Sequence, residues 1–200
     1  MQLEEGHIYH IYNQGNNRQK IFFENENYHF FLKKMQIHLL PYCNILAYCL
    51  MPNHFHWMVE VTHTHTTHGV SQSHPVSSLG NTNLNNSIGI LLRSYTRAMN
   101  KRFNQSGSLF RDGTKAICLT KNDELSPPFF NTEFGTLINV EIPEKAYPLI
   151  CFNYIHNNPV KSGLVKKPQD WEFSSYLDYH GNRKESLVNK ERTHTLIENL

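Results

Sequence analysis

Two histidines separated by a single residue, His54 and His56, sit in the run Met51-Pro52-Asn53-His54-Phe55-His56-Trp57-Met58-Val59-Glu60-Val61. The run reads as a strand, and on a strand alternate side chains share a face. Both imidazoles then point one way, while Phe55 and Trp57 point the other way, into a core. Paired imidazoles on a rigid strand make half of a metal site. On this segment alone, two hydrogen-bonded surface histidines are the better reading. Further along the chain Tyr154 and Asn158 stand four apart, so both project from one face of a helix. The residue before a proline is pushed out of helical geometry, which puts Asn158 at or just past a helix end ahead of Pro159. Two imidazoles and an amide oxygen can hold a divalent ion with positions left open. Such an ion polarises a phosphoryl oxygen while a phenolate attacks phosphorus. By spacing alone, a core tyrosine and a capping asparagine are again the simpler account.

The elements that must carry these groups follow from hydrophobic period and turn residues. A strand is expected over His7–Tyr12, broken by Asn13-Gln14-Gly15-Asn16-Asn17, and a helix over Asn25–Leu40, ended by Pro41. Strands over Ile45–Leu50 and His54–Val61 meet at Pro52-Asn53. A second helix over Ser87–Asn104 has the apolar stripe Ile88, Leu91, Leu92, Tyr95, Met99 and Phe103. Its other face carries Arg93, Arg97 and Lys101 at i, i+4 and i+8, a row that fits a solvated cationic face at least as well as a phosphate-contacting one. Leu109 to Leu119 reads as a fourth strand, and a third helix begins near Glu144 with Pro148 in its first turn and ends before Pro159. Strand, helix, strand, strand, helix, strand is the order of an α+β, ferredoxin-like antiparallel sheet with helices packed on one face. Residues 1–180 are expected to form one domain, with 181–200 as a C-terminal tail. Thr62–Ser87 is rich in Thr, His, Ser and Asn and too poor in aliphatic residues to bury a core, so it reads as a mobile insert. Its His63, His65 and His68 belong to that tract. A second insert spans Lys121–Glu144.

Composition sets the outer bounds. With 200 residues, 39% hydrophobic and 18% charged, the chain has material for one good core. A net charge of +2 permits a nucleic-acid partner without arguing for one. Cys43, Cys49, Cys118 and Cys151 form no Cys-x-x-Cys pair and sit mostly in apolar runs, as in a reduced, cytoplasmic protein. No signal peptide and no membrane-length apolar run is expected.

The motifs Tyr48-Cys49-Leu50-Met51-Pro52-Asn53-His54-Phe55-His56, Tyr154-Ile155-His156-Asn157-Asn158-Pro159-Val160-Lys161-Ser162-Gly163 and Trp171-Glu172-Phe173-Ser174-Ser175-Tyr176 resemble the single-tyrosine HUH transposases, in particular the REP-associated branch. Tyr12–Arg18 and Gly107-Ser108-Leu109-Phe110-Arg111 fit the same order. The resemblance spans nearly the whole chain outside the two inserts. It implies a metal-dependent single-stranded DNA endonuclease and strand transferase, using Mg2+ or Mn2+ on hairpin DNA. His54 and His56 would be metal ligands, Asn158 the third ligand and Tyr154 the nucleophile that forms a 5′-phosphotyrosine. Asn13, Asn16, Arg18, Arg93, Arg97 and Lys101 are the expected DNA contacts. Whether Tyr154 serves its own chain's histidines or a partner's stays open, so a homodimer belongs with these expectations. Two other readings compete: a phosphoester hydrolase using water, and an inactive DNA-binding protein that keeps the fold. A histidine-triad hydrolase fits less well, since Met58 stands where a third alternating histidine belongs. Tyr95 is the rival nucleophile, assigned to the core because it shares the stripe of Leu91, Leu92 and Met99.

Overall fold

The computed structural model describes residues 1–63, 65–66, 82–120, 129–132, 135–138, 147–181, 183 and 185–198. In chain order the elements are β1 (Ile8–Gln14), α1 (Asn25–Leu39), β2 (Cys43–Met51), β3 (His54–Val61), a two-residue ladder of β4 (His65–Thr66) with β5 (Thr82–Asn83), and α2 (Leu84–Phe103). Then come β6 (Lys115–Cys118), the hairpin β7 (Phe129–Thr132) and β8 (Gly135–Ile138), α3 (Tyr147–Lys161), α4 (Tyr176–His180) and α5 (Lys190–Glu198).

Strands β2, β3, β1 and β6 lie side by side in that order, all antiparallel, in the α+β sheet with packed helices expected from sequence. Alternation along each strand divides the side chains between two faces. On one face Tyr9, Ile11, Phe55, Trp57 and Val59 pack with Phe31 and Met35 of α1 and Leu91 and Tyr95 of α2. The opposite face, with Ile8, Ala47, Cys49, Met51 and Met58, is covered by Cys151 and Ile155 of α3. Helices α1 and α2 thus share one face, and α3 adds a third layer on the other. A bulge at Leu46 shifts β2 by one residue between the pairs Ile45 with Val59 and Ala47 with Met58. Because a one-residue slip exchanges the faces, the bulge is what brings Cys49 and Met51 beside His56 and His54.

Several boundaries differ from those expected. Helix α2 starts at Leu84 because Asn83 caps it, its side chain accepting from Asn86 N at 2.8 Å. The fourth strand is only Lys115–Cys118, because Gly113, with φ of 72°, turns the chain just before it. Helix α3 runs through Pro159 to Lys161. A proline in the last turn forfeits one N–H bond, yet Ser162 N still bonds Asn158 O and Leu164 N bonds Pro159 O, both at 3.0 Å. Asn158 is therefore helical. The stretch expected as a tail carries α5, where Arg192 grips Glu60 of β3 and Asn189 N bonds Ile45 O at 2.9 Å. Most of the insert expected over 62–87, and much of that over 121–144, lies outside the described residues. Among the described residues no helix is long and apolar enough to cross a membrane.

Candidate functional site

The face of the sheet beneath α3 gathers the histidines. His54 pairs with Gln14 and Met51, and His56 pairs with Tyr12 and Cys49, so both rings leave β3 on the same side, 5.0 Å apart between centroids. Helix α3 sets Tyr154 above them, its ring centroid 5.4 Å from that of His56. Asn158 follows one turn later on the same helical face, at 2% exposure. Lys161 closes that stretch of helix with Nζ 5.4 Å from the centre of the Tyr154 ring.

Hydrogen bonds fix the two imidazoles at their Nδ1 atoms. His54 Nδ1 lies 2.7 Å from Asn53 Oδ1, and Asn53 Nδ2 donates to Arg18 O at 3.4 Å. His56 Nδ1 lies 2.9 Å from His10 Nε2, and the two rings are tilted by only 27°. Burial pushes His10 down to about 3. Burial also drives His56 well below its ordinary value, with the neighbouring His10 and His54 adding to the shift. Both rings are neutral near pH 7, the state in which imidazole ligates metal.

His56 Nε2 is buried and makes no hydrogen bond among the described residues. Unsatisfied buried polar atoms are rare in folded proteins and call for an occupant. Among the described residues no group of three His, Cys, Asp or Glu side chains could hold a metal, so an ion at His54 and His56 would need an oxygen donor of another kind, and Asn158 is the one expected from sequence. The donor set of two imidazoles and one amide oxygen fits a divalent ion that keeps open positions.

The helix bearing Tyr154 is tied down by the segment after it. His156 Nε2 lies 2.7 Å from Ser175 Oγ, which also takes Tyr48 N at 2.8 Å and donates to Tyr48 O at 3.1 Å. Trp171 Nε1 donates to Leu50 O at 3.0 Å, and Leu50 N bonds Phe173 O at 2.9 Å. The Trp171–Ser175 segment thus lies along β2 and wedges α3 in place.

The other expected contacts separate into groups. Asn13 is buried and spends its side chain on Arg111 O, Thr114 Oγ1 and the backbone of Gln14. Asn16 and Arg18 are exposed in a 3-10 turn that abuts Pro52-Asn53, beside the histidines. Arg93, Arg97 and Lys101 form an exposed row on α2, with the sheet between them and Tyr154. Tyr95 is fully buried with the α1 and α2 layer and donates its hydroxyl to Ile21 O at 2.7 Å. Sequence reasoning gave no site role to His10 or Lys161. The strand alternation Ile8, His10, Tyr12 placed His10 on one face of β1, and only the β1 to β3 register shows that this is the face of His56.

No protein-family model matches the sequence, and no curated protein matches it either. One solved structure, a REP-associated tyrosine transposase bound to a REP hairpin, is similar over 89% of this chain and 81% of its own, with a TM-score of 0.51 and 14% identity. A likeness at that identity concerns the fold, and it is to the α+β arrangement of a four-strand antiparallel sheet with helices packed on it.

Proposed function

We propose that this chain is a metal-dependent single-stranded DNA endonuclease and strand transferase, a transposase that works through a 5′-phosphotyrosine at Tyr154 on hairpin DNA. The observation that carries this reading is the phenol of Tyr154 held over His56, whose buried Nε2 makes no hydrogen bond among the described residues. The similar fold of a transposase that holds a DNA hairpin supports the choice of substrate. Because Tyr154 lies over the histidines of its own chain, cleavage within one protomer is the favoured arrangement.

His54, His56 and Asn158 would hold Mg2+ or Mn2+, which when bound supplies a Lewis acid for a non-bridging phosphoryl oxygen. Tyr154 Oη attacks phosphorus in line. The new O–P bond forms as the bond to the 3′-oxygen breaks; the phenol gives up its proton and the departing 3′-oxygen takes one. Ester is exchanged for ester, so a 3′-hydroxyl on another strand can reverse the step. Lys161, beside the Tyr154 ring, is placed to meet a phosphate, as an ammonium does. The buried floor of His10, His56 and Asn158 keeps water from intercepting the linkage. Asn16 and Arg18 would contact the strand next to the site, and Arg93, Arg97 and Lys101 would meet DNA beyond it.

The test is incubation with hairpin oligonucleotides and Mn2+, resolved on a denaturing gel. Wild type is expected to give a protein–DNA adduct and Tyr154→Phe none, while Tyr95→Phe behaves as wild type. Metal-dependent cutting without any adduct would instead identify a hydrolase that uses water. Hairpin binding that survives replacement of both histidines, with no cutting by wild type, would identify an inactive DNA-binding protein.

A further inference from the structure

The contact between His10 and His56 has no counterpart in the two-histidine motif and joins residues far apart in the chain. In the β1 to β3 register Tyr12 stands opposite His56 and His10 opposite Met58, so His10 is the diagonal neighbour of His56 on the same face. The ring centroids are 5.0 Å apart, the planes 27° apart and the nitrogens 2.9 Å apart. That is an edge-to-edge meeting of near-coplanar rings, in which the in-plane N–H of one nitrogen points at the in-plane lone pair of the other. Each neutral imidazole carries one proton, so the direction of this bond decides which nitrogen of His56 keeps a lone pair.

The neighbouring histidine shows which direction the site is built for. Asn53 Nδ2 points at Arg18 O, so Asn53 Oδ1 is the atom turned to His54 Nδ1 and can only accept. His54 is thereby protonated at Nδ1, with its lone pair at Nε2. His56 matches it only if its Nδ1–H donates to His10 Nε2.

We propose that His10 is a positioning residue that accepts this hydrogen bond and locks His56 as the Nδ1–H tautomer, turning its Nε2 lone pair toward the space under Tyr154. The proposal rests on the metal-binding reading given above for what that lone pair is used for. An N–H donated outward by a ligating histidine orients the ring and raises its basicity, and losing the acceptor typically weakens metal binding by about 10- to 100-fold. Free imidazole is under no such constraint, so without His10 the ring of His56 can turn or protonate at Nε2.

The experiment uses the full chain without metal, then with Mn2+ alone. Long-range proton–nitrogen NMR of the metal-free protein reads the tautomer of His56, assigned by the signals absent in His56→Gln. Calorimetry reads the Mn2+ affinity of wild type, His10→Phe and His10→Gln, each checked for folding by circular dichroism. The expected result is an Nδ1–H tautomer in wild type and a fall of about 10-fold or more in Mn2+ affinity for His10→Phe. His10→Gln, whose amide oxygen reaches the position of Nε2, stays within a few-fold of wild type. An Nε2–H tautomer in wild type, or unchanged Mn2+ affinity in folded His10→Phe, overturns the proposal. Should His10→Phe fail to fold, the tautomer in wild type and the affinity of His10→Gln still decide. If His56 is the Nδ1–H tautomer and wild type binds no Mn2+, the metal-dependent function fails while the positioning by His10 stands.

Discussion

His156 and Ser175 meet at 2.7 Å between Nε2 and Oγ, and this bond fastens the helix that carries Tyr154 to strand β2. Ser175 Oγ donates to Tyr48 O, so it must accept from Tyr48 N and from His156, which fills its one donor and two acceptor places. His156 is thus protonated at Nε2, and its ring is packed by Phe152, Tyr176 and Tyr179. Although it stands two residues from Tyr154, it serves position and not chemistry. His156→Ala is expected to lose roughly 2 to 4 kcal/mol in urea denaturation, and Ser175→Ala about 2 kcal/mol. Since both act through one bonded group, the double variant should lose less than the sum. Strict additivity would show that the two residues do not form one unit.

Gly15 is the tight point of the turn beside the histidines. A Cβ there would run into the carbonyl oxygen of Gln19 and come within 3.1 Å of Ile21 Cγ2. The same turn presents Arg18 O to Asn53, and Gly15 N bonds Asn53 O at 2.7 Å. Gly15→Ala is therefore expected to cost roughly 1 to 3 kcal/mol of stability and to weaken Mn2+ binding, because Asn53 holds His54. A variant with unchanged melting temperature and Mn2+ affinity would show that the turn yields without disturbing the site.

Glu60 and Arg192 join α5 to the same strand as the histidines. Arg192 Nε lies 2.9 and 3.0 Å from the two carboxylate oxygens, and Asn44 Nδ2 donates at 2.9 Å. The hydrogen bonds to Arg192 outweigh the opposing effect of burial and hold the Glu60 carboxyl below its ordinary range. The folded value is the lower one, so this stabilisation is complete above the unfolded value of about 4.3 and is lost as pH falls through the folded value. The protection of α5 amides, taken relative to their intrinsic exchange rate at each pH, should fall in wild type as pH drops below about 4, and Glu60→Gln should flatten that dependence. Arg192 is partly exposed, so salt will shrink the effect. Parallel pH profiles for the two proteins would count against it.

How much of this could be read from the chain depends on the range of each contact. His54 and His56 share a face by strand alternation, and Tyr154 and Asn158 by helical spacing, so both pairs were visible from a few neighbouring residues. The bond from His10 to His56 crosses 46 residues and depends on the β1 to β3 register, which β1 alone does not encode. The same holds for the basic row. Its period showed Arg93, Arg97 and Lys101 on one side of α2, but not that the sheet would lie between them and Tyr154. Pro159 misled because its ring forbids an interior bond, and the bond lost here is in the last turn, where few remain to lose. Asn13, read as an exposed turn residue, extends β1 and is buried by Arg111 and Thr114 from a distant segment.

Lys161 and the row on α2 make separable predictions, because one cation stands at the Tyr154 ring and the others lie across the sheet. A cation at the reacting phosphate acts on charge that grows in the transition state, and losing such a group costs rate even when DNA is saturating. Lys161→Ala should therefore slow adduct formation by about 10-fold or more, with hairpin affinity changed less. Cations that only hold backbone away from the reacting bond add to affinity through released counterions. Arg93→Ala with Arg97→Ala should weaken hairpin binding, lower the salt slope by about 1 to 2, and leave the saturated rate unchanged. A salt slope equal to that of wild type would return Arg93 and Arg97 to a solvated helix face. A saturated rate that falls for the α2 pair as it does for Lys161→Ala would mean that the cleaved phosphate is reached from the α1 and α2 side, and Tyr154 of α3 would then be misassigned as the nucleophile.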